Sequence, residues 1–237
     1  STRDENLLLA RQKKERERLC SWLAQESNRP DVVCLSNALL SGVAGRIKQT
    51  TGCITACLLQ DEHEFLDCLV EPYADRVDEL LRRRADQIDL FIAVSEYYAG
   101  FMKDKLAIKN EKIFAVYTGV DPDSFSTGDF TQNNVIGYLS RMCESKGLDI
   151  LAGAFISLKK QPAFKDLKLL AGGGLSGSDK EYVKKTAELL AKSGFGSDAE
   201  FVSDYDVARR KDLLKRTAVM CVPQRNPSAY GLFVLEA

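Results

Sequence analysis

The stretch Ile136–Phe155, IGYLSRMCESKGLDILAGAF, passes from one structural period to another within a few residues. Extended back to Asn134, its start reads NVIGYLSR, a short continuous apolar run of the kind found in strands buried on both faces. From Leu148 onward Leu148, Leu151, Phe155 and Leu158 fall at helical spacing, so a helix follows the strand. Between the two lies SRMCESKG, which puts Arg141 and Lys146 after the strand ending at Ser140 and before the helix. A guanidinium fork, an ammonium and the unsatisfied N–H groups of a helix start all favour negative charge there, which suits a phosphate or diphosphate. The competing reading is two exposed basic residues at a helix entrance, which is what such a pair is in most proteins.

The same alternation repeats in both directions. Downstream, LKLLAGGG is a strand with a glycine loop, Tyr182, Thr186, Leu189 and Leu190 make the next helix amphipathic, AEFVSD is a strand, DLLKR a short helix and AVMCVP the last strand. Upstream, a charged helix is expected from about Asp4 to Gln25, with Leu19, Trp22 and Leu23 on its buried side and RQKKERER as its solvated face. PDVVCLS then reads as a strand, NALLSGVAGRIKQT as a helix, GCITACLLQ as a strand and DRVDELLRRRADQI as a helix. DLFIAVS is a strand ending on Ser95, a good N-cap for the helix EYYAGFMKDKL, and KIFAVYTGVD is a further strand. In DPDSFSTGDFTQNN the apolar pattern stops and turn formers crowd together, which predicts a linker or domain seam. Buried strands alternating with helices make this an α/β protein with parallel sheets, in two runs split near residues 113–130.

Composition narrows the function classes. The 237 residues suffice for one large domain or two ordinary ones at ~100–200 residues each. Lys plus Arg (33) against Asp plus Glu (34) leaves a net charge of −1, so no global field favours nucleic acid or an anionic membrane, and any anion site must be local. No apolar run approaches the ~18–20 residues that cross a bilayer, and the polar start STRDENLLLARQKKERER lacks a signal-peptide core. A cytoplasmic protein is expected, peripheral to a membrane at most. The seven cysteines form no CxxC pair and His63 is the sole histidine, which argues against a zinc site; Cys53 and Cys57 read as small core residues.

In open parallel sheets ligands bind beyond the carboxyl ends of strands, so the loops there hold the candidate chemistry. GGGLSG matches GxGxxG through Gly172, Gly174 and Gly177, after a strand and before a helix, yet a complete strand and helix precede it where a dinucleotide fingerprint would stand first. A glycine loop that admits a ligand closely is the better reading than a clamp for NAD. Two Asp-x-Asp triplets, Asp121 with Asp123 and Asp204 with Asp206, can hold a divalent ion, but aspartate is common in turns for backbone reasons. In the terminal NPSAYGLFVLEA a loop enters a helix, where Glu236 can accept hydrogen bonds from a ribose or sugar and the N–H groups of Tyr230 to Leu232 can face a phosphate.

Taken in order, FIAVSEYYAGFM, YTGVDPDSF, IGYLSRMCESKGLDILAGAF, LKLLAGGG and YGLFVLEA resemble the retaining, nucleotide-sugar-dependent glycosyltransferases of family 4, along nearly the whole chain. The resemblance implies a GT-B architecture of two Rossmann-like domains. It also implies a donor that is a nucleoside-diphosphate sugar, an acceptor that is a saccharide, a lipid-linked saccharide or a small molecule, and no cofactor or metal. Arg141 and Lys146 match the basic pair that stabilises the leaving diphosphate, and Glu236 matches the second acid of a Glu-x7-Glu motif, on the donor ribose. These three make the expected catalytic set. Gly172 and Gly173 match the glycine loop beside the nucleotide; Ser228, with backbone amides from Ala229, Tyr230, Gly231 and Leu232, would line the sugar pocket.

The chain departs from the family pattern at two places. Ser228 stands where the first glutamate is usual and carries no negative charge for an oxocarbenium-like transition state; Gln60, in LLQDEHEFLD, stands where a histidine often lies, with His63 three residues on, expected as a partly exposed loop residue. By the resemblance, residues 1–113 are the later part of an acceptor-side domain and 114–237 the earlier part of a donor domain, both incomplete, so a fragment inactive by itself is expected. Two rivals stay open: a non-catalytic GT-B relative that binds sugar nucleotides or a protein partner, and a nicotinamide-dependent oxidoreductase resting on GGGLSG. GT-B epimerases and phosphorylases fit the ordered motifs less well.

Overall fold

The computed structural model describes residues 2–122, 134–203 and 206–237. Clustered by proximity, the chain forms two compact units, Ser1–Thr118 and Gly119–Ala237.

The first unit runs α1 (Thr2–Leu23), β1 (Val32–Leu35), α2 (Ala44–Thr51), β2 (Ile54–Leu59), α3 (Glu62–Leu66), α4 (Tyr73–Ala85), β3 (Leu90–Ala93), α5 (Glu96–Leu106) and β4 (Ile113–Ala115). Its four strands lie in the order β1-β2-β3-β4, each parallel to the next. Cys57 sits between Leu35 and Phe91 in register, so the small thiol packs within the sheet's apolar centre, as the sequence suggests. Ser95 caps α5 by accepting from the N–H of Tyr98 (3.1 Å), which turns the chain from β3 into the helix whose Tyr98, Met102 and Leu106 are buried.

Three expectations need correction in this unit. Leu19 and Trp22 are exposed (43% and 54%), and among the described side chains of α1 the buried one is Cys20, against Ile47 and Cys53. The helix read from NALLSGVAGRIKQT splits into a 3-10 turn, Ala38–Val43, capped by Asn37, and the shorter α2. LLQDEHEFLD does not end in an open loop: it folds into α3, and His63 is buried.

The second unit runs β5 (Val135–Leu139), α6 (Leu148–Lys159), β6 (Lys168–Gly172), α7 (Lys180–Lys192), β7 (Ala199–Val202), α8 (Val207–Arg216), β8 (Val219–Met220) and α9 (Leu232–Glu236). The strands are again parallel, in the order β7-β6-β5-β8. Successive side chains of β5 serve opposite faces. Tyr138 packs with Met142, Leu148, Leu151, Phe155, Leu169 and Leu190, while Leu139 packs with Leu170 and Leu213 beneath α8 and Phe233. Burying each large side chain is worth ~1.5–3 kcal/mol, so these two layers hold the helices to the sheet. Lys159, almost fully buried, is satisfied by Asp198 (3.0 Å) and lies over the Phe195 ring.

AVMCVP yields a strand of only two residues. The N–H groups of Ala218 and Cys221 still bond β5 carbonyls, but Pro223 has no N–H to continue the ladder. Leu189 is half exposed, at the edge of the apolar face of α7. Asp123 and Asp204, one residue of each Asp-x-Asp triplet, lie outside the described residues, as does most of the expected seam DPDSFSTGDFTQNN.

Candidate functional site

In the second sheet β6 and β7 extend from one side of β5 and β8 from the other. The loops after β5 and β8 therefore leave the sheet at a point where strand order reverses, which is where open parallel sheets form a ligand crevice. Arg141 and Lys146 lie in the first of these loops and Ser228 to Gly231 in the second, with Leu232 opening α9.

Backbone hydrogen bonds fix the loop after β5 against the glycine loop after β6. Ser140 donates to the carbonyl of Gly172 (3.2 Å), Met142 to Gly174 (2.9 Å), and Gly173 to Val202 on β7 (3.1 Å). Gly173 has φ +154°, and a Cβ there would stand 1.7 Å from the carbonyl oxygen of Ser140. The glycine is thus required by both backbone conformation and the closeness of the two loops.

Arg141 reaches across this junction. Its Nε donates to Asp179 (2.9 Å) and its Nη2 to the Ser176 hydroxyl (3.1 Å), while Ser176 and Asp179 form a capping box ahead of α7. Burial pushes the Asp179 carboxyl up, but bonds from Ser176 and Arg141 outweigh it and hold the group below the usual carboxylate range. The Arg141 side chain is 54% exposed and anchored to a buried carboxylate.

Lys146 ends a 3-10 turn, Glu144–Lys146, and Gly147 follows at φ +72° as the N-cap of α6. A Cβ on Gly147 would fall 1.9 Å from the Pro223 carbonyl oxygen, so the Lys146 turn rests directly on the loop after β8. Arg225 secures that contact. Its N–H donates to the Ser145 carbonyl (2.9 Å), one guanidinium nitrogen to the Glu144 carbonyl, and two to Asp149 (2.9 and 2.6 Å). Tyr182 of α7 donates to Asp149 (2.6 Å) and accepts from its backbone N–H (2.9 Å). The Arg225 bonds, with help from Tyr182 and against partial burial, hold the Asp149 carboxyl at about 2. Sequence reading missed this trio, because pairing between positions 149 and 225 leaves no local spacing to find.

The terminal segment departs from expectation in its detail. Ala229 is buried, and the Ser228 hydroxyl donates to the Tyr230 carbonyl (3.1 Å), shaping its own loop. Gly231 is the N-cap of α9, a helix of five residues. Glu236 is buried and ion-paired with Arg210 of α8, a partner that the run VARRKDLLKR does not single out. Asp206, which follows β7 where a nicotinamide site would need an acid for its ribose, caps α8 by accepting from the N–H of Arg209 (2.8 Å).

At the carboxyl ends of the first sheet the structure assembles a different kind of cluster. Glu62 is buried and accepts from the N–H groups of Ala38 (3.0 Å) and Gln60 (2.7 Å) and from the Tyr98 hydroxyl (2.9 Å). His63 Nδ1 lies 3.2 Å from the same hydroxyl, with its ring against Tyr98 and Phe101, and the Gln60 amide donates to the Ser36 carbonyl (3.0 Å). Burial and the neighbouring Glu62 charge push the Tyr98 phenol well above its ordinary value, so it stays a donor. One carboxylate thereby ties together the loops after β1 and β2 and the helix after β3. Among the described residues no helix is long and apolar enough to cross a membrane, and no three His, Cys, Asp or Glu side chains converge as a metal site.

Comparison with known proteins agrees with this fold. D-inositol 3-phosphate glycosyltransferase of Corynebacterium urealyticum is 25% identical over 180 residues, covering 70% of this chain and 42% of its own length. Anabaena HepE in complex with UDP-glucose superposes with a TM-score of 0.74 at 17% identity, over 92% of this chain and 60% of HepE. Sucrose-phosphate synthase of Thermosynechococcus elongatus gives 0.76 at 16% identity, over 94% and 57%. The chain thus spans less than two thirds of each of these proteins. Residues 7–124 match the family described as Glycosyltransferase Family 4 and residues 120–237 match Glycosyl transferases group 1. On those two consecutive matches the chain belongs to the glycosyltransferases of GT-B fold.

Proposed function

We propose that the second unit binds a nucleoside-diphosphate sugar and that the protein transfers the sugar, a hexose, to an acceptor hydroxyl with retention at the anomeric carbon. The observation that carries this reading is the junction at the strand-order reversal, where Arg141 and the Lys146 turn are held by bonds to the loops beside them. In the transfer, the bond from the anomeric carbon to the diphosphate oxygen breaks with its electron pair going to that oxygen. The acceptor oxygen bonds the same face of the carbon, and its proton passes to the departing diphosphate. Arg141 and Lys146 would neutralise the charge that develops, and a fixed cation is most effective when it needs no reorganisation as the bond breaks. Gly172 and Gly173 would let the nucleotide approach the backbone, and residues 228–232 would line the sugar.

The first unit would be the acceptor side and the second the donor side, in a cytoplasmic enzyme whose acceptor is a saccharide, a lipid-linked saccharide or a small molecule. Glu236 would hold the ribose once Arg210 shares or releases it. Uridine diphosphate is the first donor base to try, since HepE was solved with UDP-glucose. A second reading, sugar-nucleotide binding without turnover, draws support from Ser228, whose hydroxyl is turned to its own loop and brings no negative charge. The nicotinamide reading has less support: the glycine loop follows the second strand of its unit, and Asp206 is a helix cap.

The test is a thermal shift against UDP, GDP, ADP and NAD, beside Arg141→Ala. Stabilisation by one nucleoside diphosphate, lost in the variant, is expected, with transfer by the intact protein reduced by ~2–4 kcal/mol of transition-state stabilisation. A response to NAD alone, or full activity in Arg141→Ala, overturns the assignment.

A further inference from the structure

The first unit contains a cavity of about 510 Å³ whose polar lining is entirely cationic or amide: Arg16 of α1, Arg46, Lys48 and Gln49 of α2, and Arg84 and Gln87 at the end of α4. The carboxylates nearby do not line it and are too few to neutralise it. Glu17 pairs with Arg46 (2.9 Å) and, at 3.5 Å, with Arg16, and Asp89 pairs with Lys48. Arg84 bonds the neutral oxygen of Gln87 (3.1 Å), and the buried Nε of Arg16 has no hydrogen-bond partner among the described residues. Four cations therefore share one concave space with two carboxylates behind them, an arrangement that repels itself until an anion enters.

Position separates this cavity from the crevice of the second unit. Lys48 and Gln49 lie in the last turn of α2, shortly before β2 begins, and Gln87 and Asp89 directly precede β3. The cavity thus adjoins the amino ends of the strands, the end opposite to that at which parallel sheets bind their substrates.

We propose that this cavity is a separate anion site, which takes the phosphate monoester or diphosphate group of a small molecule. Guanidinium forks suit the paired oxygens of such a group, and the two amides add neutral donors. The inference does not depend on the donor reading of the second unit.

Gly42, on the cavity wall, offers a direct test, because a Cβ there meets nothing within 4 Å and a longer side chain enters open space. Pyrophosphate would be titrated calorimetrically into the full chain carrying Arg141→Ala, which removes binding by the second unit. Saturable binding is expected. Adding Gly42→Glu should weaken it tenfold or more, Gly42→Gln clearly less, and Arg84→Gln severalfold. Absence of saturable binding up to millimolar pyrophosphate, or affinity unchanged in both Gly42→Glu and Arg84→Gln, overturns the proposal. Sedimentation with phosphatidylcholine vesicles containing phosphatidic acid, a lipid phosphate monoester, decides the source of the phosphate. Vesicle binding that pyrophosphate displaces assigns a lipid headgroup, whereas pyrophosphate binding without vesicle binding, or with vesicle binding indifferent to pyrophosphate and to Gly42→Glu, assigns a soluble ligand.

Discussion

The two sheets are built from the same alternation of buried strand and covering helix, and they differ in strand order. The first proceeds β1-β2-β3-β4 without reversing, whereas the second reverses about β5. Where order does not reverse, the loops at the carboxyl ends are drawn together over the strands, and a buried carboxylate, Glu62, serves as their common acceptor. Where order reverses, the loops are also held together, but the side chains at the rim are cations, Arg141 on Asp179 and the Lys146 turn on Arg225. Similar topologies thus yield a knot centred on one carboxyl acceptor in one unit and a rim of anchored cations in the other.

The contrast can be broken most severely at Gly173. Gly173→Ala sets a methyl against the Ser140 carbonyl in a backbone region that alanine avoids, which should cost about 3–5 kcal/mol in denaturant unfolding. It should also abolish the nucleoside-diphosphate thermal shift; an unchanged shift would detach the glycine loop from the nucleotide site. Glu62→Gln comes next. The amide turns an N–H toward donors that need an acceptor, for a loss of about 2–3 kcal/mol with diphosphate binding preserved. If binding fell as stability did, the division of labour between the units would be wrong.

The smallest effect is expected at Arg225. Arg225→Ala should lower diphosphate affinity severalfold by loosening the Lys146 turn, with Arg225→Lys restoring part of it, and it should lower stability at neutral pH by less than Glu62→Gln does. The pH dependence has a defined sign. The Asp149 carboxyl sits at about 2 against an ordinary 3.8, so its contribution is complete above the ordinary value and is lost as the pH falls through about 2. Acid unfolding of Arg225→Ala should therefore be less steep in that window than that of the parent, and superposable acid curves would show that the pair contributes nothing.

Legibility from the sequence followed the range of the interactions. Strand and helix identities were readable because apolar period is local, and Ser95 was readable as a cap for the same reason. The placement of Arg141 and Lys146 after β5 was readable too, since strand ends are visible in the chain itself. Arg210 on Glu236, Arg225 on Asp149 and the Glu62 cluster were not, because each joins segments whose spacing only the fold decides. The same reason explains Leu19 and Trp22: helical period says which residues share a stripe, but not which side of the stripe the rest of the unit covers.

The fork between Arg225 and Asp149, with the Tyr182 phenol beside it, also makes a statement about inheritance. Losing Asp149 alone leaves Arg225 and Tyr182 without their shared acceptor, and losing either of those strips the carboxylate of a donor, so single replacements should be disfavoured and paired ones tolerated. Across a deep set of related sequences, positions 149, 182 and 225 should therefore drift together, at a rate set by the slowest of them, while Ser145 and Glu144, engaged there only through their backbone, drift freely.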